Sequence, residues 1–124
     1  MRALLVLSII PILVALGVWE QIFIKNTFSK MNNYVHSIEK QLDEQKTINI
    51  SLTNQLHSFW QNNESVLGYL NKHISVSDIS IKSTELKHFA ENNDMEKYTH
   101  TLEILKHLLK TAYENMAFNL YNVI

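Results

Sequence analysis

Six histidines are the first candidates for chemistry. Glu85-Leu86-Lys87-His88 carries the Glu-x-x-His spacing that presents a carboxylate and an imidazole on one turn of helix, as di-iron bundles do. Such sites need two copies of the motif and two further inward-facing glutamates. Here there is one copy, and helical periodicity turns Leu86 rather than Glu85 toward a core. His100, Glu103 and His107 recur at helical spacing on one face. They offer a weak metal site at best, and a solvated polar face is the expected reading. Trp60 follows Phe59 as either a membrane or partner anchor or a core filler, and the burial tendency of aromatics favours the core. Asn49-Ile50-Ser51 and Asn63-Glu64-Ser65 match the N-glycosylation pattern, but both fall in predicted helix, which makes them poor acceptors.

The chain has no cysteine, which excludes disulfides, thiolate zinc sites and cysteine nucleophiles. Two glycines are too few for a glycine-rich phosphate loop. The expectation is a non-enzymatic protein with no catalytic residue, no cofactor and no metal. The 11 Lys and Arg are interspersed with 12 Asp and Glu, giving a net charge of −1. No basic stripe is present to displace counterions from phosphate, so a nucleic-acid partner is not expected.

The elements that position these residues are helical. Only Gly17, Gly68 and Pro11 interrupt a chain of 124 residues, and an all-β fold needs more frequent turn signals. After Arg2, residues 3–19 are uncharged and mostly apolar. As helix they cover ~26 Å, and extension to Ile24 gives ~33 Å, against a hydrocarbon core of ~30 Å. Pro11 is tolerated in such a helix, and Trp19 falls where an interfacial aromatic belong. A cleavable signal is the competing reading, with Ala15-Leu16-Gly17 as a small-x-small site, but the apolar run continues through that site. A core helix of a soluble protein is the third. The expected division is a transmembrane anchor over 1–24 and an extracytoplasmic helical region over 25–124. The positive-inside balance between Arg2 and Lys25 with Lys30 is close, and the short N-terminal head favours a cytoplasmic N-terminus.

Beyond the anchor a heptad seam runs through Phe28, Met31, Val35, Ile38, Leu42, Gln45, Asn49, Leu52, Leu56, Phe59, Asn63 and Val66. It predicts one helix from the bilayer to about Tyr69, ~58 Å from Phe28 to Val66. The polar pair Gln45 and Asn49 reads as a register device within it. A break over residues 73–78 follows, with Ser75 together with Asp78, or Ser77 alone, as the cap. A second helix is expected over 78–90, with Ile79, Leu86, Phe89 and Ala90 inward. Asn92-Asn93-Asp94 forms a turn, and a third helix over 95–113 carries the stripe Tyr98, Leu102, Leu105, Leu108, Leu109 and Ala112. The apolar tail from Met116 is expected to pack back on the bundle.

The order of these features resembles a bacterial family known as domain of unknown function 4363. The resemblance lies in the Met-Arg start, the apolar run closing on Gly17-Val18-Trp19, and the long helix carrying Trp60. It continues in His73 and Ile79 at the break, in Leu86, Asp94, Leu105 and Leu108, and in the closing Asn122-Val123-Ile124. Ser75-Val76-Ser77 departs from the more acidic stretch the family implies there. The resemblance implies a membrane protein of a Gram-positive, spore-forming bacterium and supplies no catalytic residues.

Together these readings predict an all-α protein. Its N-terminal transmembrane helix continues into a long helix, and two shorter helices fold back as a hairpin bundle. Folding back from position 70, helices of those lengths reach only to about residue 50. Phe28, Met31, Val35, Ile38 and Leu42 would then lack an intrachain partner and contact another protein, either a second copy or a neighbouring membrane protein. Residues 3–24 would contact membrane lipid. The expected function is protein–protein interaction at the cell membrane. The alternatives are an exported sensor that binds a ligand between helices and, less favoured, a metal-binding helical enzyme.

Overall fold

The computed structural model describes the backbone of residues 2–70 and 76–123 and the side-chain surroundings of 2–69 and 76–115. Four helices follow in order: α1 (Arg2–Gln45), α2 (Ile50–Leu70), α3 (Val76–Glu91) and α4 (Met95–Val123). The fold is all-α, with a long N-terminal helix against which shorter helices pack. Each helix packs on its sequence neighbours, and α4 returns to α1 to close a four-helix ring. Side-chain pairs show that the neighbours are antiparallel. Gln41 on α1 meets Asn49 beside the turn, whereas Tyr34 and Phe28, further back along α1, meet Phe59 and Trp60 further along α2.

The long helix does not run to Tyr69. It stops at Gln45, and Lys46 takes a left-handed φ of 53°. The Lys46 amide donates to the Leu42 carbonyl at 2.9 Å, closing the last turn in the manner usually given to glycine. Asn49 then caps α2, its Oδ1 accepting the Leu52 amide at 2.9 Å. The two polar seam residues therefore mark a reversal of the chain. Doubling back places α2 along the part of α1 that follows its apolar stretch, which a single ~58 Å helix could not do.

That reversal corrects the expectation about the seam. Phe28, Met31, Val35 and Ile38 are all buried, and Leu42 packs partly buried against the same core. Their covering comes from α2 and α4 of the same chain. No second protein is needed to shield this face, because the chain supplies two helices the linear seam had not assigned to it.

The remaining core follows the sequence closely. Ile79, Leu86 and Ala90 line α3, and Tyr98, Leu102, Leu105, Leu109 and Ala112 line α4. Residues 92–94 form the turn, with Asn93 left-handed at φ 53° and the Asp94 carboxylate accepting the Lys97 amide at 3.3 Å. Helix α3 begins at Val76, two residues before the expected start, and Asp78 sits in its first turn, where a carboxylate suits the helix dipole. Helix α4 continues past the expected end at 113 to Val123. The proposed Ser75 cap and the packing of the tail from Met116 lie outside the described residues.

Burial decides stability here. Each fully buried Leu, Ile, Phe or Met contributes about 1.5–3 kcal/mol. Exposed pairs such as Lys82–Glu85 contribute at most about 1 kcal/mol.

The N-terminal half of α1 is different. The large apolar side chains from Leu4 to Ile22 are exposed along the helix, and the core begins only at Ile24. One helix is therefore long and apolar enough to cross a membrane, and it enters the bundle without a linker.

Candidate functional site

Among the described residues no three His, Asp or Glu side chains converge as metal ligands. Glu85 pairs with Lys82 at 2.9 Å near the surface, while Leu86 is fully buried. His88 is exposed and contacts Asn92, and His100, Glu103 and His107 are all exposed on α4. Trp60 is 1% exposed and fills the core edge-on to Phe28.

The structure assembles a polar line that the sequence did not advertise. Thr53, His57, Trp60 and Glu64 recur along one face of α2 at helical spacing. Each meets a polar group from across the bundle. Thr53 Oγ1 donates to the Asn49 carbonyl at 2.9 Å and shares a 2.6 Å hydrogen bond with the Tyr98 hydroxyl. His57 Nδ1 lies 3.1 Å from Ser83 Oγ. The Trp60 indole N–H donates to Ser80 Oγ at 2.8 Å, and Ser80 Oγ donates to Glu64 Oε2 at 2.6 Å. Every step satisfies a group that would otherwise be costly to bury.

Burial sets the electrostatics of this line. Desolvation holds the His57 imidazole below its ordinary value, and Lys87 adds to the effect, while Glu64 and Glu91 oppose it. Burial raises the Tyr98 phenol, offset in part by its hydrogen bond to Thr53. His57 beside Ser83 has the spacing of a base and a nucleophile, but Ser83 is 1% exposed and no acyl carbon can approach its oxygen. The pair holds α2 to α3.

Among the described residues, three of the clefts that flank the bundle border polar or boundary side chains. One of about 370 Å³ lies over the polar line between α2 and α3, bordered by His57, Glu64, Ser80 and Glu85. One of about 540 Å³ lies between α1 and α4 at the end of the bundle away from the apolar stretch, where Glu39 holds Lys106 at 3.1 Å beside Asp43, Lys46 and Glu103. That contact raises the Lys106 ammonium above its ordinary value, chiefly through hydrogen bonding to Glu39.

The third, of about 460 Å³, lies between α1 and α2 where the bundle meets the apolar stretch. Trp19, Ile22 and Phe23 form its lower end, with Trp19 stacked on Phe23 at 5.5 Å. Asn26, Lys30 and Asn63 form its upper end, and the Lys30 ammonium sits 5.3 Å from the centre of the Phe59 ring. Sequence reading missed this groove because it depends on α2 folding back. Only Trp19, assigned to the interface, gave a signal.

Compared with the curated proteins and with the solved structures, the chain has no significant match. The family model described as Domain of unknown function (DUF4363) matches residues 18–123, which is the whole bundle and the end of the apolar stretch. The chain belongs to that family.

Proposed function

We propose that the chain is a non-enzymatic, single-pass membrane protein whose extracytoplasmic four-helix bundle mediates protein–protein contact at the cell membrane of a Gram-positive bacterium. One observation carries the reading. Helix α1 passes from an exposed apolar surface directly into a buried core at Ile24. A helix shared in this way fixes the bundle against the bilayer, because no flexible linker separates anchor from domain.

With the seam from Phe28 to Ile38 covered inside the chain, the extended apolar surface left for a partner is the span itself. Helices in lipid associate by close packing and not by burial from water, so the fitting partner is another transmembrane segment, either a second copy or a neighbouring protein. The bundle then acts as a rigid head that sets the distance and orientation of that contact.

The absence of cysteine makes single substitutions unambiguous. Glu96→Cys, at the end of the bundle far from the span, reacts with a membrane-impermeant maleimide in intact cells if the bundle is outside. Reaction only after lysis contradicts that orientation. Cysteines placed singly at Leu7 or Val14 crosslink within the membrane, whereas Val35→Cys, buried in the bundle, does not. A crosslink at Val35 and none in the span would overturn this assignment of the contact.

A ligand-binding bundle is the second reading, favoured by the polar cleft over His57, Glu64 and Ser80. Its groups already hydrogen-bond to one another, so a ligand would have to replace the Ser80–Glu64 contact. The anchored interaction module requires no such exchange.

A further inference from the structure

We infer that the groove between α1 and α2 at the membrane boundary is a binding site for an anionic phospholipid of the outer leaflet. The inference rests on the reading of α1 as a membrane span.

Position is the first argument. Trp19 lies ~24 Å along the helix from Ala3, near the edge of a ~30 Å hydrocarbon layer. The groove starts at Trp19 and ends near Lys30, ~16 Å further along the axis. That stretch covers the headgroup region and the water just above it. Helix α2 descends into the same zone. Tyr69 lies ~15 Å below Phe59 along α2 and is 87% exposed, an unusual state for a tyrosine in water and an ordinary one for an interfacial aromatic.

The second argument is the gradient along the groove. Its lower end is apolar, through Trp19, Ile22 and Phe23, and its upper end is polar, through Asn26, Lys30 and Asn63. A phospholipid has the same gradient in the same direction, from acyl chain to phosphate. Charge is the third argument. Among the described residues Lys30 forms no ion pair, whereas Lys82, Lys97 and Lys106 each lie within 4 Å of a carboxylate. Its ammonium is held over the Phe59 ring beside the groove. A lipid phosphate supplies the missing counter-charge. The groove is lined by no acidic residue, so nothing there repels it.

The test is lipid retention by the full chain in nanodiscs of equimolar phosphatidylcholine and phosphatidylglycerol, read by native mass spectrometry. The wild type retains phosphatidylglycerol over phosphatidylcholine by about fivefold, the effect expected of one lysine at the surface of an anionic membrane. Lys30→Gln abolishes the preference. Lys25→Gln, exposed ~7.5 Å further down the same helix and outside the groove, keeps it. Equal retention of both lipids by the wild type overturns the site, as does an equal loss in both variants, which marks general attraction to basic residues. Failure of the intact chain to enter nanodiscs overturns the membrane reading as well. Incorporation without preference overturns the lipid site alone.

Discussion

The Tyr98 hydroxyl meets Thr53 Oγ1 at 2.6 Å, joining α2 to α4 across the diagonal of the bundle. The backbones of these two helices are not in direct contact, so the tyrosine ring spans the core between them. Both residues are fully buried. Tyr98→Phe keeps the ring and removes the bridge, leaving the Thr53 hydroxyl with the Asn49 carbonyl as its partner. The expected cost is about 1 kcal/mol, measured as a lower midpoint in urea unfolding with an unchanged slope. A midpoint equal to that of the wild type would show that the bridge contributes nothing.

The turn at Lys46 separates a four-helix bundle from one unbroken helix. A lysine at φ 53° is conformationally strained, and glycine is not. Lys46→Gly therefore raises stability by roughly 0.5–1 kcal/mol in this structure. In a continuous helix the same change costs about 1 kcal/mol, so the sign of the shift in Tm decides between the two.

Leu105 sits at the centre of the α4 stripe with no exposure. Leu105→Asp places a carboxylate there with no partner, at a cost of several kcal/mol that exceeds what a bundle of this size can absorb. Cooperative melting should disappear. His88→Ala and His107→Ala, at exposed positions, should stay within about 0.5 kcal/mol of the wild type. A larger loss at either histidine would contradict its assignment to the solvated surface.

His57 gives the bundle a pH dependence of definite sign. Its imidazole ionises at about 6.5 in the unfolded chain and at a lower pH when folded, because burial and Lys87 disfavour the charged form. Below about pH 6.5 the unfolded chain therefore binds more protons than the folded one. The stabilising effect of a neutral His57 is complete above that value and is lost as pH falls through it toward the folded value. Melting temperatures recorded from about pH 7 to about pH 5 should fall, and His57→Gln should lessen the slope. An unchanged slope in the variant would place the acid sensitivity elsewhere.

Much of this architecture was legible in residue spacing, and the part that was not has a definite physical cause. The stripes on α3 and α4 follow 3.6-residue periodicity, and Asp94 announced its helix as a cap, so both elements could be placed from the sequence. The reversal at Lys46 could not, since neither glycine nor proline marks it and the heptad spacing continues across it in phase. The signal present was the pair Gln45 and Asn49, polar residues that suit a register device and a turn equally well. Once the turn is missed, the covering of Phe28 to Ile38 is missed with it. So are the polar line on α2 and the groove at Trp19, which need α2 to return along α1.

The claim that α1 holds the bundle to a membrane can be tested directly. Membranes of cells expressing the full chain are washed with alkaline carbonate, and the protein is weighed by mass spectrometry in pellet and supernatant. The account predicts an intact chain of 14.5 kDa in the pellet, held by an uncleaved apolar helix. A soluble chain lacking residues 1–17 would contradict it.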